Sequence, residues 1–308
     1  MTDAPVVLVL RGLGLGDLLT AVPALRALRR AYPRHRLVLA APAWLTELLP
    51  LIGAVDELVD VSGPGPVPVR SPEVAVNLHG RGPRSTRALR ALRPGRLLTH
   101  AHPHLPEVRG PAWNPEAHEV HRWCLMLQWY GIAADPADLL LAVRTPKRAG
   151  PVIVHPGAKD PARRWPPARF AWVVRELRMA GHDVVITGDQ DEVGTAERVA
   201  RLAHLPADRV LAGHTGLGDL AALVEDASLV LCGDTGIAHL ATACRTPSVV
   251  LFGPVSPQLW GPAPDGPHVA LWAGRTGDPH GEEPDAGLLR IGVEDVLTTV
   301  MDRLEVTV

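Results

Sequence analysis

Residues 6–10, VVLVL, form an unbroken apolar run that passes at once into Gly12-Leu-Gly-Leu-Gly16 and then into a helical pattern. No other feature constrains the chain as much. Five apolar residues without polar alternation read as a strand buried on both faces, the habit of parallel sheets covered by helices. Leu18, Val22, Leu25 and Leu28 recur behind it at helical spacing, with Arg26, Arg29 and Arg30 on the other side. Pro23 either kinks this helix or marks the start of its regular part. LVLA at 37–40 and VAVNL at 74–78, around a helical stretch at 43–50, continue the β-α-β alternation.

The turn-rich, charged stretch RTPKRAG at 144–150 breaks the pattern, which then restarts. VIVH (152–155), a helix over 167–180, VVIT (184–187) and a helix over 191–203 follow. A helix at 217–226, LVLC (229–232), a helix from about 235 and SVVLF (248–252) complete a second unit. The expected fold is α/β: two Rossmann-like parallel-sheet domains, 1–148 and 149–308, with a cleft between the lobes. Ligands in such sheets bind at the carboxyl ends of the strands. The Gly/Pro-rich stretch 261–287 reads as a long loop. A final helix over 293–304 is free to pack back on the first domain.

Composition narrows the class. The 308 residues carry 31 Lys+Arg against 33 Asp+Glu, a net charge of −2 that argues against a generic nucleic-acid binder. The total hides a split: residues 1–150 hold 18 basic and 12 acidic side chains, and the remainder 13 and 21. Halves of +6 and −8 suit different partners. Cys124, Cys232 and Cys244 lack metal-type spacing and cannot all pair, so a disulfide scaffold is not expected. No stretch of 18 apolar residues occurs, and Asp3 interrupts the start without a signal-peptide pattern, which points to a cytoplasmic protein. Only Lys147 and Lys159 accompany 29 arginines, so a single Arg carries little weight by itself.

Three segments carry chemistry. In GLGLGD (12–17) the glycines, Gly14 and Gly16 among them, allow a tight turn and a close ligand. A dinucleotide fingerprint fails here, because Asp17 would repel a pyrophosphate at the helix N-terminus. Asp17 is placed either to cap the helix or to act as a general base. The second segment, His155-Pro-Gly157-Ala158 leading to Arg163-Arg-Trp-Pro166, suits an anion, since a guanidinium holds phosphate bidentately. Alternatively, the two arginines are solvated and Trp165 simply packs. The third is Cys232-Gly-Asp234-Thr235-Gly236-Ile-Ala-His239, a strand end turning into a helix whose first amides form an anion seat. Asp234 would accept from sugar hydroxyls or serve as N-cap; His239 would donate to a phosphate oxygen or cap and pack.

Together, in this order, these segments strongly resemble glycosyltransferase family 9, the heptosyltransferase family with the GT-B fold. The matching stretches are RGLGLGDLLTAVPALRAL, HPGAKDPARRWPPARF, VVITGDQDE, CGDTGIAHLATA and PSVVLFGP. The likeness is weaker between residues 60 and 145. It implies that Asp17 is the base for the acceptor hydroxyl and that Arg163, two before the Trp-Pro pair, contacts the donor diphosphate. The family commonly has lysine there. It further implies that Asp234, Thr235, Gly236 and His239 line the donor phosphates and sugar, with Gly188 and Glu192 in the nucleotide-side turn. The implied reaction is inverting transfer of a heptose-like sugar from a nucleotide-diphosphate sugar to a glycan or glycolipid hydroxyl. ADP-sugar is the favoured donor. No cofactor or metal is expected, as no paired-carboxylate motif adjoins the phosphate segments.

For the acceptor side, Asn77 and His79 end a strand facing the cleft. Arg81, Arg84, Arg87, Arg90, Arg93 and Arg96 recur every third residue, as on an arginine-lined helix. Such a row would meet an anionic acceptor or an anionic membrane surface, or be merely a solvated face. A monomer is expected. A non-catalytic nucleotide-sugar-binding protein and an epimerase of similar fold remain alternatives. An NAD-linked oxidoreductase is disfavoured by Asp17 and by Ala41-Pro42 where an acidic ribose ligand would stand.

Overall fold

Every named strand of the computed structural model pairs in parallel with its neighbours, as unbroken apolar runs require. The structure describes residues 4–142, 150–263 and 265–306, so the break read at 144–150 lies outside the described residues except for Gly150. The chain divides after Ala142 into two compact units.

The N-terminal unit runs β1 (Val6–Leu10), α1 (Leu15–Thr20), α2 (Val22–Ala31), β2 (Arg36–Ala41), α3 (Leu49–Ile52), β3 (Glu57–Asp60), β4 (Val74–Asn77), α4 (Arg84–Ala91), β5 (Arg96–Leu98) and α5 (Glu119–Trp129). Its strand order is β3-β2-β1-β4-β5. The order reverses between β1 and β4, which makes the ends of those two strands the unit's natural ligand crevice. Val7 to Leu10 are fully buried. Pro23 stands in the first turn of α2, where its missing N–H costs nothing, so it starts a helix rather than kinking one. The turn after β1 needs glycine for space: a Cβ on Gly12 would lie 2.4 Å from the Gly63 carbonyl oxygen.

The C-terminal unit runs β6 (Val152–His155), α6 (Pro167–Met179), β7 (Val184–Ile186), α7 (Val193–Ala203), α8 (Leu217–Asp226), β8 (Leu229–Gly233), α9 (Gly236–Ala243), β9 (Ser248–Phe252), α10 (Pro257–Trp260), β10 (His268–Trp272) and α11 (Val293–Val306). Strand order β10-β9-β8-β6-β7 places the reversal between β6 and β8, the strands that end in the His155 and Asp234 segments. Trp165 is 1% exposed and packs edge-on against Phe170, with its Nε1 donating to Ile291 O at 3.2 Å.

Five elements escape the sequence patterns, the four-residue α10 among them. β3 and β5 are short edge strands with charged ends, and β10 is a half-buried edge strand within the Gly/Pro-rich stretch expected to be loop throughout. α5 carries Leu125 and Trp129 on its exposed stripe and Glu119 and Arg122 on its buried face, and so lacks a clear amphipathic period. α11 packs on α6, β8 and β9 of its own unit, where Val296, Val300 and Leu304 join the core. One expectation is corrected. The arginine row is not one helix: Arg81 precedes α4, Arg93 has φ 53° just beyond it, and Arg96 lies in β5.

Candidate active site

In the N-terminal unit, Gly14 is the N-cap of α1, Gly16 its second residue, and Asp17 lies in its first turn. Gly14 supplies no side chain for capping, and Asp17 is not the cap residue. Arg11, the residue directly after β1, is 1% exposed and organises the surroundings of Asp17. Its Nε donates to the Asp17 carbonyl at 2.9 Å, and Nη2 lies 3.3 Å from Asp17 Oδ1, on a side chain 27% exposed. Thr20 donates its hydroxyl to the same carbonyl at 2.9 Å. The Asp17 backbone is thus held from two sides while its carboxylate stays reachable.

A buried guanidinium needs a counter-charge. Arg11 Nη2 donates to Glu119 Oε1 at 3.0 Å, at the start of α5 and 108 residues away. Glu119 also accepts from Arg122 Nε and Trp123 Nε1, each at 3.0 Å. Burial would raise the Glu119 carboxyl, but Arg11 and Arg122 together hold it below the ordinary glutamate value. The arginines lie over indole faces, Arg11 at 4.9 Å from Trp123 and Arg122 at 4.1 Å from Trp113.

Arg11 Nη1 also donates to the Leu78 carbonyl at the end of β4, bringing the two switch-point strand ends together. His79 follows there. Burial first and Arg11 second lower its pKa to about 4, so the ring is neutral at pH 7. Its Nδ1 finds no partner among the described residues. Asn77 departs from the acceptor contact expected of it. It is fully buried, and its amide donates to Ser85, Thr86 and Thr99 at 3.0–3.1 Å, tying β4 to α4 and β5. A side chain so engaged is a structural knot.

Arg87 is exposed on α4. His102 is held below its ordinary pKa by slight burial and then by His104, Arg81 and Arg87, so these cationic groups share one patch. Arg90 is tied to Glu107.

In the C-terminal unit, Arg163 and Asp234 meet: Nη1 donates to Oδ2 at 2.9 Å. Asp234 is 4% exposed, and burial pushes its carboxyl above the ordinary aspartate value while Arg163 offsets part of that. Asp234 therefore serves Arg163 rather than capping, and Thr235 is the N-cap of α9. The Nε of Arg163 is buried without an acceptor among the described residues. A guanidinium with an unused buried donor, at the carboxyl end of β8 and beside the first turn of α9 that opens at Gly236, has the chemistry to hold an anion. Arg164 instead donates to Ala158 and Lys159 carbonyls and pins its own turn. His239 sits in α9 with its ring edge-on to Trp260 at 5.9 Å.

The segment after β7 makes a second cluster. Past Gly188, Asp189 caps a short 3-10 turn, accepting from the Asp191 and Glu192 amides, while Glu192 Oε2 accepts from the Asp189 amide at 2.9 Å. That oxygen also lies 3.3 Å from Nε2 of His155, whose Nδ1 is 3.0 Å from the Thr187 hydroxyl. Burial would raise Glu192, but the His155 hydrogen bond and charge, the Asp189 amide and Arg164 hold it below the ordinary value. Gly157 lies beneath the carboxylate: a Cβ there would be 2.1 Å from Glu192 Cδ.

Arg11, Glu119 and Thr187 were not singled out from sequence. The one available signal was a charged residue directly after an apolar strand, at Arg11. Glu119 gives none, since its partner is 108 positions away. Among the described residues, no three His, Cys, Asp or Glu side chains gather as a metal-binding group, and no helix is long and apolar enough to cross a membrane. All three cysteines are buried and unpaired with one another.

A family model described as Glycosyltransferase family 9 (heptosyltransferase) matches residues 129–277. Lipopolysaccharide heptosyltransferase 3 of Escherichia coli is 31% identical over 80 residues, 25% of this chain and 24% of that protein. The match thus spans about a quarter of that relative's length. A family 9 glycosyltransferase structure from Veillonella parvula superposes with a TM-score of 0.82 at 20% identity, covering 99% of this chain and 98% of the other. The structure of the E. coli ADP-heptose LPS heptosyltransferase II gives 0.77 at 21% identity, covering 97% and 98%. At these identities the structures establish the fold, the paired parallel sheets of GT-B heptosyltransferases. The matched residues take in Arg163, Glu192 and the Asp234 segment; Asp17 lies outside them.

Proposed function

Taking this chain as a heptosyltransferase-like protein similar to glycosyltransferase family 9, we propose that it transfers a heptose-like sugar from a nucleotide-diphosphate sugar to a hydroxyl of an anionic glycan or glycolipid. The observation that carries this reading is Arg163, clamped to Asp234 with its buried Nε unsatisfied beside the start of α9. The donor diphosphate fits there, with Thr235, Gly236 and His239 along the phosphates and sugar and Glu192 on the nucleoside side. ADP is the favoured nucleotide, by analogy with the ADP-heptose enzyme of similar fold.

The chemistry asked of the protein is small, because a nucleoside diphosphate is already a good leaving group. Asp17 takes the proton from the acceptor hydroxyl as that oxygen bonds to the anomeric carbon. The bond from that carbon to the diphosphate oxygen breaks, the nucleotide leaves with the electron pair, and the anomeric centre inverts. Arg163 and the α9 amides take up the developing negative charge, which makes the step metal-independent. His79, neutral at pH 7, is suited to hydrogen-bond the acceptor, and Arg81, Arg84 and Arg87 to hold its anionic groups. The setting is cytoplasmic, at the inner face of the membrane for a lipid-linked acceptor.

Titration calorimetry with ADP, UDP, NAD and ADP-heptose tests the donor reading: ADP and ADP-heptose bind, UDP and NAD do not. Failure of ADP and ADP-heptose to bind, or equal affinity for NAD, overturns it. In the transfer assay, Asp17→Asn abolishes turnover while ADP still binds, and near-normal turnover removes Asp17 as base.

A further inference from the structure

In the His155-Pro-Gly157 segment, the His155 ring and the space over Gly157 both meet Glu192. His155 is 8% exposed and bridges Thr187 Oγ1 to Glu192 Oε2, at 3.0 and 3.3 Å. Gly157 leaves room for the same carboxylate, which a Cβ would displace. Two segments 35 residues apart therefore converge on a single group, Glu192, whose side chain is 13% exposed. In doubly wound sheets an acidic residue beyond the second strand of the unit takes ribose hydroxyls. Glu192 follows β7, the second strand of this unit and the neighbour of β6.

We infer that His155, fixed by Thr187, is a positioning residue that aims the Glu192 carboxylate at the ribose hydroxyls of the nucleotide, over the gap that Gly157 leaves. The inference rests on the nucleotide-sugar reading above. A ring carrying its proton on Nε2 donates to Glu192 Oε2 and accepts the Thr187 hydroxyl at Nδ1. The Asp189 amide lands on the same Oε2. Both fixing contacts thus use one oxygen, Oε2, and Oε1 lies over Gly157. A carboxylate held in this way spends little rotamer entropy when a hydroxyl docks. Without His155, Glu192 keeps its charge and loses its aim.

The probes are ADP and 2′-deoxy-ADP, titrated calorimetrically into the full-length protein. Wild type binds ADP about tenfold more tightly than 2′-deoxy-ADP, the worth of one hydrogen bond to a charged acceptor. Glu192→Gln and His155→Gln each reduce that preference to about twofold or less, and the double variant is no worse than Glu192→Gln alone. Thr187→Val, a gentler change that keeps the ring, lowers the preference in the same direction and guards against a folding defect in His155→Gln. An unchanged preference in both His155→Gln and Thr187→Val, or additive losses in the double variant, overturns the positioning role while the nucleotide reading stands. Failure of wild type to bind ADP at all overturns both.

Discussion

Glu119 offers the clearest test of how the Asp17 site is held. Its carboxylate is the counter-charge of Arg11, a guanidinium 1% exposed, and also accepts from Arg122 and Trp123. In Glu119→Gln the shape is kept and the charge removed, leaving two arginines facing an amide. Breaking a buried pair from one side costs about 3–5 kcal/mol. Asp17, at 3.3 Å from Nη2, still compensates part of Arg11, which favours the lower figure of about 3 kcal/mol. For a unit of this size that is a fall in melting temperature of roughly 10 °C. Calorimetry on the full-length chain reads the fall, and hydrogen exchange at the β1 amides locates it. The pH dependence has a definite sign. Because the Glu119 pKa is depressed on folding, its contribution is whole above the ordinary value of 4.5 and is lost as pH falls through the lower folded value. The gap between wild type and variant should hold at neutral pH and narrow only in acid below that value. A variant that melts within about 1 kcal/mol of wild type at pH 7 would refute the counter-charge reasoning.

Other outcomes follow from the same geometry. The His79 ring should titrate near 4 in an NMR pH series, with stability declining as pH falls from 6.5 toward that value; titration near 6.5 would show that burial and Arg11 do not act on it. Asn77→Leu orphans hydroxyls on Ser85, Thr86 and Thr99 and should lose about 2–3 kcal/mol by chemical denaturation; a near-neutral variant would restore Asn77 as a ligand contact. Arg163→Ala should weaken ADP binding at least tenfold, as loss of a charge-assisted phosphate contact does, and unchanged affinity would remove the diphosphate from that seat. Transfer after dialysis against EDTA should keep its rate, and a loss that magnesium restores would contradict a metal-independent reaction.

How much was legible depends on range. The apolar runs at 6–10, 152–155, 229–232 and 248–252 became central parallel strands, because burial on both faces leaves a local signature. Edge strands β3, β5 and β10, short and half solvated, leave little. The arginine row misled for a related reason. A three-residue period survives helix, left-handed turn and strand alike, and only packing tells them apart.

The sequence by itself determined the alternating α/β plan, the glycine turns, and the strand ends where chemistry-bearing side chains fall, since all of these are written in contiguous residues. Tertiary structure alone decided what each side chain there faces. It turned Asn77 inward, gave Asp234 to Arg163, set His155 against Glu192, and brought Glu119 across 108 positions to neutralise Arg11. These are pairings of buried polar groups, and burial forces such groups to find partners without regard to their distance along the chain.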